Sequence, residues 1–451
     1  MLRQKVRDFV NSHMDEIVST LMELVRIPSV STDRSSCDKM QSVVRALYEG
    51  YGFSVTDGDE YSLATYGEGE EAIGLFAHGD VVDGGEGWLL TSPFEPIIHN
   101  GAIVGRGAWD DKSAIVHSLY TLRAIKELNI PITKKLVAYT GFNEENGMSD
   151  IKKYIKSNTP PDFSFVLDAG FPAYYGDKGK VWARATSRTK LSKITELHGG
   201  RMINITLGNA EAKIRDVCEF SATNDRVKAE KDGNFLILRS EGMSTHGATP
   251  EGAINGAYLI AEELKDCPYL DECDREVMNT LAELLRSPYG EAVGIANDDP
   301  VFGRLTMTNG IVELVYGRVS LTLDLRFGKD ARMEKMINTL EAALDKMGFD
   351  FEIINAEDAY AVDIENVYLK RYLEAYKAYT GDENTSLHIN AGSTYARHIG
   401  NACEIGTKYK GTPTNLPKGH GRAHEPDECI DIDGLLNAME IIIYCIATTA
   451  Q

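Results

Sequence analysis

Five short stretches of the chain end in groups that can hold a metal ion or move a proton. In order they are His78-Gly79-Asp80, Gly105-Arg106-Gly107-Ala108-Trp109-Asp110-Asp111-Lys112, Glu144-Glu145-Asn146-Gly147, Leu167-Asp168-Ala169 and His424-Glu425-Pro426-Asp427-Glu428. Their imidazoles and carboxylates, without a thiolate, suit zinc, manganese or cobalt in a hydrolytic site. His78 and Asp80 are two residues apart, so on an extended segment both side chains leave the same face. Asp80 is then a natural acceptor for the second ring nitrogen of His78. Asp110 and Asp111 follow a Gly-Arg-Gly turn and open a helix, where helix capping and metal ligation are both open to them. The adjacent Glu144 and Glu145 diverge at a strand end, so one can hold a metal while its neighbour faces water. Taken alone, Asp168 reads equally as a turn residue, and His424 as a surface-loop histidine. Their joint occurrence in this order points to a dinuclear metallohydrolase.

The elements around these groups have a regular alternation. Apolar residues at helical spacing cover 5–26, ending before Pro28, and a second helix is expected over 38–50. Strands are expected at 53–56, 62–66, 73–77, 135–141 and 163–167, with helices over 113–128 and 150–156. Alternating strands and helices imply an α/β fold, a mostly parallel sheet with helices on both faces. His78, Glu144 and Asp168 each fall just past a strand, at the carboxyl edge where open α/β sheets bind ligands. After about 177 the pattern changes, with strands near 235–238 and 319–325 and helices near 252–265, 275–286 and 332–347. We read 177–384 as a large inserted α+β lid domain. The catalytic domain is then discontinuous, 1–176 with 385–451, because the chain must return to deliver His424. Gly176-Asp177-Lys178-Gly179 is the expected hinge.

At 451 residues the chain exceeds the ~250–300 residues of one hydrophobic core, so two domains are expected. The formal net charge of −21 argues against nucleic-acid or anionic-membrane partners. The seven cysteines form no CxxC pair and their number is odd, so a reducing compartment fits better than a disulfide framework. The amino terminus lacks the apolar stretch of a signal peptide. No apolar run reaches a membrane span of about 18–20 residues, and IIIYCIA near the end is too short. The expected location is the cytoplasm.

The series HGD, GRGAWDDK, EENG, LDAG and AHEPDE, with the opening LMELVRIPSVS, resembles the dinuclear zinc metallopeptidase family of carboxypeptidase G, the aminoacylases and succinyl-diaminopimelate desuccinylase, in particular its Xaa-His dipeptidase branch. The resemblance runs the length of the chain. It implies two divalent metal ions, zinc first and manganese or cobalt as alternatives. One would be held by His78, Asp110 and Asp168 and the other by Asp110, Glu145 and His424, with Asp110 bridging. It implies that Asp80 orients His78 and that Glu144 is the general base. In that family the peptide bond after the residue matching Asp110 is often cis.

In the insert, Ser244-Thr245-His246-Gly247-Ala248-Thr249-Pro250-Glu251-Gly252 resembles the family's lid motif, whose histidine stabilises the oxyanion. Arg326, in Asp324-Leu325-Arg326, resembles a clamp for the substrate carboxylate. Gly392, Ser393 and Thr394, within Asn390-Ala391-Gly392-Ser393-Thr394-Tyr395, resemble a glycine-rich loop beside that carboxylate. The family's early lid segment Asn-x-Val-Pro-Asp is not matched by Ala212-Lys213-Ile214-Arg215-Asp216, so that asparagine contact is not transferred. Ser393 stands where glycine is common, which narrows the expected substrate range. The resemblance implies a dipeptidase acting on small peptides with a free carboxylate. An N-acyl-amino-acid amidohydrolase or carboxypeptidase is the alternative, and a non-catalytic peptide-binding protein the reading from another class. A monomer is expected, a homodimer being the alternative, because the large insert can stand in for a partner's lid.

Overall fold

A computed structural model describes residues 2–217, 219–411 and 415–451. The chain divides into two compact units, one of Met1–Asp177 with Ala361–Gln451 and one of Lys178–Tyr360. The chain leaves the first unit inside the expected hinge stretch. It returns at 360/361, not at 384/385 as the sequence pattern suggested. The reason is the helix Val367–Thr380, whose Asn366 cap accepts the N–H groups of Tyr368 and Leu369. Its buried Leu369, Tyr372 and Tyr376 belong to a helix packed on Ile432–Thr449.

The first unit is α/β. Its sheet runs Ser54–Gly58, Tyr61–Tyr66, Lys135–Gly141, Ala72–His78, Phe163–Ala169, Ala402–Gly406 and Tyr174–Asp177, with His388–Asn390 pairing in parallel with Tyr174–Asp177. Ala72–His78 lies parallel to both Lys135–Gly141 and Phe163–Ala169. Continuous burial along Lys135–Gly141 and Ala72–His78 means both faces are covered, as in parallel sheets generally. The expected first helix is two, Leu2–Ser12 and Met14–Val25, broken at His13. Ile432–Thr449 is long and apolar enough by composition to cross a membrane, a length the short run IIIYCIA did not suggest. It is 67% buried within the protein and packs on Lys112–Glu127 and Val367–Thr380, the setting of a core helix.

The second unit is built on an antiparallel sheet. Its strand order is Val227–Asp232, Phe235–Glu241, Asn209–Arg215, Ile194–Gly199, Thr306–Val315, Arg318–Phe327, Gly179–Ser187 and Phe349–Glu357. The middle junction pairs only His198 with Glu313 and Gly199 with Val312, so the sheet has two four-stranded halves. Helices Gly256–Leu264 and Glu272–Leu285 pair with each other, the former against Asn209–Arg215 and Phe235–Glu241, while Met333–Lys346 covers Phe349–Glu357.

Candidate metal centre

Parallel strands with aligned registers put their carboxyl ends in one row. His78 pairs with Gly141 in that register, so the turn bearing Glu144 and Glu145 rises beside His78, and Asp168 lies one residue before the end of the strand Phe163–Ala169 on the other side. His78 is 1% exposed. Its Nε2 lies 3.1 Å from Asp110 Oδ1 and 4.0 Å from Asp168 Oδ2. His424 Nε2 lies 3.1 Å from Asp110 Oδ2 and 2.9 Å from Glu145 Oε1. The two oxygens of Asp110 therefore face two different imidazoles, the arrangement a bridging carboxylate needs. His78, Asp110 and Glu145 bring ligand atoms within 4.8 Å of one another, and so do His78, Asp111 and Asp168.

Of the two sequence readings of Asp111, capping fails and metal ligation stands. It occupies the N-cap position of Lys112–Glu127, yet its side chain makes no capping bond. Its Oδ2 accepts the backbone N–H of His78 at 3.2 Å, and it belongs to the candidate ligand group of His78 and Asp168. The peptide bond between Asp110 and Asp111 is cis. Gly107, at φ 83, precedes them; a Cβ there would meet Val81 and the Lys112 side chain, so the turn requires glycine.

Asp80 does more than face the ring. His78 Nδ1 lies 2.9 Å from the backbone oxygen of Asp80 and 3.6 Å from its carboxylate. The carboxylate accepts the N–H groups of Glu144 and Glu145 at 3.0 and 3.1 Å and the hydroxyl of Ser31 at 2.7 Å. Asp80 thus holds the turn that carries Glu144 and Glu145. The opening motif braces the same segment: Ser29 donates its hydroxyl to Gly79, and Val81 N–H bonds back to Ser29.

The electrostatics fit cations. Burial pushes the Glu144 carboxyl well up; His78 opposes this, while Glu145 and Asp168 add to it. Burial and the Asp110 charge likewise raise Asp168, and burial with Asp168 raises Asp111. The His424 imidazole is raised to about 11 by Asp110 and Glu145. Crowded, buried carboxyls of this kind are relieved by positive charge, and a nitrogen–oxygen donor set without sulfur suits a hydrolytic metal.

A second layer was not apparent from residue types. Glu428, fully buried, accepts the N–H groups of Gly107, Trp109 and Asp110 on Oε1, each at 3.0 Å. Its Oε2 takes Arg106 Nη1 at 2.6 Å. Arg106 Nη2 reaches the carbonyl of His424 at 3.3 Å. Burial and the Asp110 charge raise the Glu428 carboxyl while Arg106 pulls it down; with these donors converging on it, we assign the ionised form. Arg106 and Glu428 so join the Asp110 loop to the His424 loop. Asp427 accepts the N–H groups of Leu89 and Leu90 and bonds His420. In the sequence, Arg106 and Glu428 stand out only by lying within the stretches 105–112 and 424–428.

The loop Asn390–Tyr395 belongs to the same unit. Asp150 accepts Asn143 N–H at 3.0 Å and also the Tyr395 hydroxyl, tying this loop to the Glu144 turn. Asn390 Oδ1 accepts Gly392 N–H at 2.8 Å. Ser393 Oγ is buried without a hydrogen-bond partner among the described residues.

In the second unit two singled-out motifs meet. Ala248 N–H donates to His246 Nδ1 at 3.2 Å, so the neutral ring carries its proton on Nε2. Burial and then Arg326 lower the His246 imidazole. Arg326, 4% exposed, pairs with Asp324 at 2.8 Å, and Trp182 Nε1 donates to Asp324 at 3.0 Å. Gly247 lies where a Cβ would stand 2.6 Å from Asp324 Oδ2. The histidine loop is thereby seated on the Asp324–Arg326 pair.

Taken with the fold, this centre defines a metal-dependent hydrolase. A model of peptidase family M20/M25/M40 matches residues 74–448, and the chain belongs to that family; it is a metallopeptidase. "Putative dipeptidase YtjP" of Bacillus subtilis (strain 168) is 26% identical over 466 residues, covering 97% of this chain and 98% of its own. A "Putative dipeptidase" of Staphylococcus epidermidis is 25% identical, covering 99% and 98%. The crystal structure of human carnosine dipeptidase 1 shares the fold, with a TM-score of 0.61 at 15% identity over 100% of this chain and 99% of its own.

Proposed function

We propose that the protein is a dipeptidase, cleaving the peptide bond of short peptides that end in a free carboxylate. The observation that carries the hydrolytic reading is Asp110, whose two oxygens each stand 3.1 Å from a different imidazole, with buried Glu144 on the adjoining turn. The names of the curated relatives support the dipeptide class. His78, Asp110 and Asp168 would hold one divalent ion and Asp110, Glu145 and His424 the other, zinc being the first choice and manganese or cobalt the alternatives. Asp111 is a further candidate on the His78 side. Bound divalent cations supply Lewis acidity, which makes water a usable nucleophile near neutral pH and polarises a carbonyl.

The residues do the rest. A Glu144 carboxylate oxygen takes a proton from the attacking water and returns it to the leaving amine nitrogen. His246 donates Nε2–H to the developing oxyanion. Arg326 and the backbone and hydroxyl donors of Gly392, Ser393 and Thr394 hold the substrate carboxylate. One chain suffices for catalysis, in the cytoplasm.

The test is a substrate panel with and without metal. Protein stripped by a chelator and reloaded with zinc, manganese or cobalt is offered dipeptides, their C-terminal amides, N-acyl amino acids and longer peptides. Free dipeptides are expected to turn over fastest, only after reloading. Preference for N-acyl amino acids or longer peptides would sink the dipeptidase reading.

A further inference from the structure

Glu404 sits on the central strand Ala402–Gly406, fully buried. Burying an ionisable group in such a strand is costly unless it is paired, and the catalytic steps above do not use it. Its two oxygens reach the two ends of one loop. Oε2 accepts Asn390 Nδ2 at 2.7 Å and Oε1 accepts the Thr394 hydroxyl at 2.6 Å. Between them, Asn390 Oδ1 holds Gly392 N–H, and Thr394 Oγ1 accepts Ala396 N–H at 3.2 Å.

Asp177, the last residue of the first unit's amino-terminal segment, lies beside Glu404 and opposite Asn390 in the sheet. It takes the Thr394 backbone N–H and Arg397 Nε, while its buried Oδ1 has no hydrogen-bond donor among the described residues. A proton on Glu404 supplies that donor. Burial, reinforced by Asp177, raises the Glu404 carboxyl well above its ordinary range, which agrees with the neutral form.

We infer that Glu404, as a neutral carboxyl group shared with Asp177, is a positioning residue that sets the shape of the loop 390–394 and so the affinity for the substrate carboxylate. This rests on the reading of that loop as the carboxylate site. Its physical content is preorganisation: the five consecutive residues 390–394 are fixed from both ends before substrate arrives.

Two substitutions in the full-length, metal-loaded protein test it. Glu404→Gln keeps the length and the neutral acceptor, and its amide can donate to Asp177 and to the Thr394 hydroxyl. Glu404→Asp keeps the acid but is too short to span both loop ends. Hydrogen exchange of the 391–394 amides reports loop order; KM and kcat are measured on a free dipeptide and on its C-terminal amide. In Glu404→Asp we expect exchange about tenfold faster and KM for the free dipeptide about tenfold higher, with kcat within about twofold and KM for the amide unmoved. Glu404→Gln is expected to match the parent in every measure. Unchanged exchange in Glu404→Asp, or a Gln variant as impaired as the Asp variant, overturns the role of Glu404. Faster exchange with an unmoved KM overturns it through the other premise, by showing that the loop does not bind the carboxylate.

Discussion

Replacing Glu428 by glutamine tests whether the Arg106–Glu428 pair holds the centre together. The pair is 2.6 Å apart with side chains 2% and 0% exposed, so solvent does not screen it. Neutralising one member of such a pair strands the other's charge, at about 3–5 kcal/mol. The glutamine oxygen still faces the N–H groups of Gly107, Trp109 and Asp110, but these bonds lose their charge assistance. Against a typical total of about 5–15 kcal/mol the variant stays folded with its denaturation midpoint clearly shifted. The local effect reaches the metal. His424 sits at φ 65, a left-handed conformation costing a non-glycine residue roughly 1–2 kcal/mol, and Arg106 holds its carbonyl. When Arg106 loses its counterion, that hold weakens and metal affinity falls about 10–100-fold, as for other groups behind a ligand. Urea denaturation of the metal-free protein, followed by tryptophan fluorescence, gives the first quantity; competition with a calibrated chelator gives the second. A stability loss under about 1 kcal/mol, the value of an exposed pair, together with unchanged metal affinity would refute the reasoning.

Three further outcomes are expected. Glu144→Gln lowers kcat about 10²–10⁴-fold at unchanged metal content; near-normal turnover with full metal occupancy removes Glu144 as the base. Mixing His246→Ala with Glu144→Gln protein restores no activity if each chain completes its own site, whereas substantial recovery after reassembly shows a shared one. Asp150 is raised by burial, and then by Asp80, from 3.8 to about 6. The folded state then holds this proton in a window where the unfolded chain has lost it. Stability accordingly falls as pH rises from about 4 to 6, by up to about 3 kcal/mol. Asp150→Asn flattens that fall, and an unchanged slope across the window would show that Asp150 is not its source.

The sequence by itself determined the class of chemistry and the groups that carry it. His78, Glu144 and Asp168 were legible because each follows an apolar strand, and the carboxyl ends of neighbouring parallel strands are brought level by backbone pairing alone. That pattern is local, and it survives in one dimension. The opposed orientation of the two Asp110 oxygens was not legible, since it depends on His424 returning from beyond the second unit. Nor was the part played by Arg106 and Glu428, which lie 322 residues apart, or by Glu404 beneath its loop. An arginine and two glutamates read in sequence as ordinary solvated charges. Only the tertiary structure buries them, and burial makes each hydrogen bond obligatory, turning residues of common type into the framework that holds the ligands in place.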